Sequence, residues 1–111
     1  MSKGEFLGEF EQLVLLALIR LEDKAYGMAV RREIEDRADR DVSIGAVYAT
    51  LDRLEEKGLV KSRLGEPSEE RGGRAKKCFT LTAAGARALE RSQQVVRQML
   101  DGLPARWNPS R

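Results

Sequence analysis

Ser43 to Val60 reads SIGAVYATLDRLEEKGLV, and this stretch decides the fold. Ile44, Val47, Leu51 and Leu54 recur at the three- and four-residue spacing of an amphipathic helix. Ser43 stands where an N-cap belongs, with a side-chain oxygen free to take an orphan N–H. Gly58, just past Lys57, is where a left-handed residue stops a helix cheaply. The spacing therefore predicts a helix over Ile44–Lys57. Leu59–Leu64 alternates apolar and polar in part and predicts a short strand.

Outward from this stretch, the rest of the chain takes shape. On the N-terminal side, Phe10, Leu13, Val14, Ala17, Leu18 and Leu21 predict a helix over Gly8–Leu21. Leu15, Leu16 and Ile19 make its opposite side apolar too, so it wants cover on two sides. The domain core supplies one cover, and a partner subunit is the simplest source of the other. Glu22-Asp23-Lys24 is a polar break, and Ala25-Tyr26-Gly27 leads into a second helix, Met28–Ala38. On the C-terminal side, Gly65–Ala75 (GEPSEERGGRA) is a glycine-rich loop. Lys77–Leu81 is strand-like and pairs with Leu59–Leu64 as a hairpin. Thr82 caps a last long helix from Ala83 to about Leu103, ended by Gly102 and Pro104. The class is mainly α with a small β-hairpin: a winged helix-turn-helix followed by a long C-terminal helix. Residues 1–82 are expected to form the winged unit with its N-terminal helix. Residues 83–111 are expected to form a dimerisation helix and short tail, the whole making one compact unit.

Composition excludes several classes of function. The 111 residues fit one ordinary domain. The chain has no histidine, so the commonest general base and metal ligand are missing. Its one cysteine, Cys78, cannot form an intrachain disulfide and reads as a buried, inert thiol. No catalytic residues, metal ligands or cofactor are expected, and no enzyme. The longest apolar run, Leu13–Ile19, is far too short for a bilayer, and the acidic start MSKGEFLGEF lacks a signal-peptide core. A cytoplasmic protein without membrane contact is the expectation. Twenty Lys+Arg against 18 Asp+Glu leave a net charge of +2, so any attraction for a polyanion must be local.

Two local features point to DNA. Ser43, Ala46, Tyr48, Ala49 and Thr50, with Gly45, form an outward face free of acid over the first two turns of the third helix. Small and hydroxylic residues suit close approach in the major groove, which admits a helix. Arg53 follows, placed to reach a phosphate. Arg71, Arg74, Lys76 and Lys77 crowd one arm of the hairpin loop around Gly72 and Gly73. Such cations displace the counterions condensed on DNA. Glu66, Glu69 and Glu70 share the loop and confine the basic field to that arm. A winged-helix module for protein–protein contact is the competing reading, but it has no need of the basic arm.

The last helix carries Leu89, Val96 and Leu103 every seven residues, with Ser92 and Met99 between them. That is an a/d-type seam with one weak polar position. A seam of this kind asks for a symmetric partner, and Phe10, Leu15, Leu16 and Ile19 complete the expected dimer interface. A two-fold dimer would read half-sites about one DNA turn apart, so its target would be pseudo-palindromic. With about four phosphates neutralised per subunit, binding would fall with salt at a log–log slope of roughly −7.

The joint pattern resembles the PadR family of bacterial transcriptional regulators. The residues that carry it are Tyr26-Gly27, SIGAVYATLDRLEEKGLV (Ser43–Val60) and GGRAKKCFTLTAAG (Gly72–Gly85). The similarity spans about Phe10 to Leu103, and the single long C-terminal helix looks like the small subfamily. The resemblance implies a homodimer that binds operator DNA, usually as a repressor. It also implies that Tyr48 and Arg53 face DNA from the recognition helix and that Arg74, Lys76 and Lys77 form the basic wing. Some members hold a flat aromatic ligand between subunits against a tryptophan of the last helix. Trp107 is the one tryptophan here, and it lies beyond Gly102 and Pro104. Ala75 stands where members often place proline, which leaves the wing arm looser, and Cys78 breaks an aromatic pair; neither departure threatens the fold.

Overall fold

A single apolar core organises the chain, and its members come from every main element. A computed structural model describes residues 6–67 and 75–107. Helix α1 (Glu9–Leu21) buries Val14, Leu15, Ala17 and Leu18. A short 3-10 turn, Glu22–Lys24, follows, and α2 (Gly27–Ala38) adds Val30 and Ile34. Helix α3 (Ile44–Glu56) adds Val47, Thr50, Leu51 and Leu54. Strands β1 (Val60–Pro67) and β2 (Ala75–Leu81) form one antiparallel hairpin, with Val60 opposite Leu81 and Ser62 opposite Phe79. Helix α4 (Ala83–Leu100) closes the core with Gly85, Ala88, Leu89 and Ser92.

The helix ends follow the local chemistry of the sequence. Ser43 accepts the Ala46 N–H, and Thr82 accepts the Gly85 N–H. Gly58 has φ +78°, a left-handed conformation open to glycine at little cost, and Lys57 closes α3 as its C-cap. The Leu59 N–H then returns to the Leu54 carbonyl and turns the chain into the hairpin. The hairpin is pinned at its root: Phe79 donates its N–H to the Ala25 carbonyl, and Tyr26 bridges to Cys78.

Several expectations shift. Both strands run longer than the alternation suggested, because pairing continues past an irregularity between Leu64 and Pro67. Helix α4 ends at Leu100, three residues early, and Asp101 is already extended. Leu15 and Leu89 were expected at a subunit interface. Both are buried in the chain's own core instead, Leu15 completely. Helix α1 packs against the other helices and β2 and takes Leu15 inside, while Leu16 stays half-buried and Ile19 exposed. Ser92, the weak polar position of the seam, also turns inward, and its Oγ accepts the Leu7 N–H at 3.0 Å. Cys78 is fully buried, its thiol donating to the Asp23 carbonyl.

Candidate nucleic-acid interface

Because Val47, Leu51 and Leu54 face the core, α3 must show its other residues to solvent. Gly45, Ala46, Tyr48, Ala49, Asp52 and Arg53 are all exposed, and so is Ser43 at the cap. Over the first two turns that face carries no acid. Thr50 leaves the set. It is only 3 % exposed, because its place on the helix turns it toward the core. Its hydroxyl serves instead as an acceptor for Arg53 Nη2, at 3.4 Å.

Tyr48 is held by a feature that the sequence motif alone does not explain. Its ring packs directly on Gly27, at the first turn of α2, and leaves no room there for a Cβ. The neighbouring Tyr26 ring lies against Gly65 of β1, with Lys76 Nζ 5.7 Å from the ring centre. A chain of contacts therefore runs from Tyr48 through Gly27 and Tyr26 to Lys76. It fixes α3 and the hairpin against one another through two adjacent residues. Lys77, on the opposite face of the strand, sits 5.8 Å from the Phe79 ring. Both lysines are exposed. Arg71 and Arg74, the other members of the expected basic arm, lie outside the described residues.

Arg53 and Lys57 meet an acid that sequence reading missed. Glu11, in the first turn of α1, has Oε2 3.6 Å from Arg53 Nε and 3.4 Å from Lys57 Nζ. Its Oε1 accepts the Gly8 N–H at 2.9 Å. The Glu11 side chain is 13 % exposed, whereas that of Arg53 is 52 % exposed. Burial pushes the Glu11 carboxyl up. The Gly8 N–H and the two cations outweigh it and hold the group below its ordinary value. No short motif signals this pairing, since 42 and 46 residues separate the partners (53 less 11, 57 less 11).

The expected dimer residues divide sharply. Leu15 and Leu89 are core. Phe10 and Leu16 are half-buried, and Ile19 is exposed. Val96, Met99 and Leu103 are all exposed, Met99 to 75 %, and Val95 and Leu100 join them. Between α1 and α2 runs a groove walled by Leu13, Leu16, Ile19, Ile34 and Ala38 and rimmed by Arg20, Glu33 and Arg37. Trp107 lies in a separate 3-10 turn, Ala105–Trp107, exposed and beside the Arg106 guanidinium.

Among the described residues no helix is long and apolar enough to cross a membrane. No group of three metal-ligating side chains gathers among them either. Comparison with known proteins gives a consistent picture. Residues 15–91 match the profile of the transcriptional regulator PadR-like family. The chain is 32% identical over 106 residues to the transcriptional regulator YqjI of Escherichia coli, covering 94% of this chain and 48% of that protein. It thus spans about half the length of the curated relatives it matches. Among solved structures, a PadR family transcription regulator from hypervirulent Clostridium difficile is 30% identical. Its TM-score is 0.66, with 83% of this chain and 91% of that one covered. A PadR family transcriptional regulator from Eggerthella lenta is 27% identical at TM-score 0.66, covering 85% and 81%.

Proposed function

The chain belongs to the PadR-like family of transcriptional regulators, not enzymes, and from that premise we propose that it binds double-stranded DNA as a homodimeric, cytoplasmic repressor. Helix α3 enters the major groove by its acid-free N-terminal half, with Ser43, Ala46, Tyr48 and Ala49 against the bases. Arg53 and the hairpin cations take phosphates. One observation carries this reading: the contact path from Tyr48 through Gly27 and Tyr26 to Lys76. It makes a base-facing helix and a phosphate-facing hairpin into one preset surface, and such presetting lowers the ordering cost of binding.

Residues 83–111 act in this reading as the dimerisation arm of the winged unit. The apolar run Val95, Val96, Met99, Leu100 and Leu103 leaves its own core behind after Ser92. Exposed apolar strips of this size mark interaction sites. A second copy is the economical occupant. Its α1–α2 groove offers Leu13, Leu16 and Ile19 to receive the strip, and two-fold symmetry uses each surface twice. Release by a small molecule completes the proposal. The exposed Trp107 ring is the candidate plate for a planar aromatic inducer, and quenching of its emission by such compounds reports on this.

The direct test replaces Arg74, Lys76 and Lys77 together by alanine. DNA binding is expected to disappear while melting and oligomeric state stay as in the wild type. Undiminished DNA binding by a folded variant contradicts the proposed wing.

A further inference from the structure

Glu11 pairs with two cations of α3, the helix read above as the one that enters the groove. Its carboxylate is the most enclosed partner of two α3 cations, and it is not free to swing away, because Oε1 is fixed by the Gly8 N–H at the start of α1. The cations are the more exposed side of the cluster. Arg53 is half exposed, and Lys57, at the C-cap of α3, is 38 % exposed. Arg53 Nη2 is further tied back to Thr50 Oγ1, so its guanidinium lies along its own helix rather than out from it. Glu9, two positions before Glu11, pairs with a different cation, Arg40, at 3.0 Å.

We infer that Glu11 is a resident counter-ion of the recognition helix, an internal acid that DNA phosphate must displace from Arg53 and that thereby limits DNA affinity. The inference rests on the DNA-binding reading above and deepens it. With Glu11 in place the cluster of Glu11, Arg53 and Lys57 presents a net charge of +1 to DNA. Without the carboxylate it presents +2. Phosphate neutralisation by cations sets both affinity and its salt dependence. An ion pair of this exposure is weak, so phosphate can win the exchange, but not without loss.

Glu11→Gln isolates the charge. The amide oxygen keeps an acceptor for the Gly8 N–H, as either Glu or Gln can at this helix position. Fluorescence anisotropy of wild type, E11Q, R53A and E11Q/R53A is followed against the duplex upstream of the protein's own gene and a scrambled duplex across a salt series. Thermal melting of each variant checks the fold. E11Q is expected to bind both duplexes roughly two- to fivefold tighter per subunit. Its log–log salt slope should be steeper by about 0.9 per subunit. R53A should weaken binding in both backgrounds, but by more in E11Q, so that it removes most of the gain. Equal or weaker binding by a folded E11Q, or an R53A effect of the same size in both backgrounds, overturns the inference and leaves DNA binding standing. Failure of wild type and E11Q alike to bind either duplex at low salt overturns the DNA-binding reading itself, and this inference with it.

Discussion

Gly27 shows how one residue serves the site without touching a ligand. It is buried in the first turn of α2, and the Tyr48 ring occupies the space where a Cβ would stand. Gly27→Ala is therefore expected to push the Tyr48 ring off its seat. Alanine is the better helix former by about 1 kcal/mol, which partly offsets the crowding. Melting should fall modestly, while affinity for a specific duplex falls more, by about three- to tenfold, because a base-facing side chain has lost its support. Parallel melting and anisotropy curves check this, and an unchanged affinity detaches Tyr48 from recognition. The Tyr26-Gly27 pair was legible in the sequence as a motif. Its reason was not, because the partner of each residue lies more than 20 positions away. Thr50 was misplaced for a related cause. A small hydroxylic residue beside an apolar stripe reads as exposed, and only the folded structure shows that it is covered.

At the scale of elements, the order of four helices and one hairpin was plain from periodicity, caps and glycines. Ser43, Thr82 and Gly58 do locally what their residue types predict. Helix α4 was harder. Its seven-residue spacing holds only from Leu89 to Val96, since Leu103 lies past the helix end, and two surfaces share it. Leu89 and Ser92 face the chain's own core, and only from Val95 onward does the strip turn to solvent. Periodicity reports that a face is apolar and is silent about what covers it. The exposed half makes a clear prediction. Val96→Glu with Met99→Glu should leave the core and its melting nearly unchanged, since both positions lie outside it. In sedimentation equilibrium the protein should shift from dimer to monomer at micromolar concentration. A dimer that survives both charges places the interface elsewhere.

For the whole molecule, a net charge of +2 is too small to hold DNA by itself, so the account depends on where charges sit. Glu11 restrains the cations of α3, and Lys76 rests on the aromatic ring that links hairpin to helix. A molecule arranged in this way should discriminate between sequences rather than cling to any polyanion. In the proposed reading the groove-facing turns of α3 would supply that discrimination, with the hairpin fixing their register, and a second copy would add a second half-site. The most direct measurement is a fluorescence-anisotropy titration against the duplex upstream of the protein's own gene, with a scrambled duplex of equal composition, at low and moderate salt. The account predicts tight binding to the native duplex that outlasts moderate salt, and weak, salt-erased binding to the scrambled one. Equal, salt-erased binding to both, or no binding to either, would contradict it.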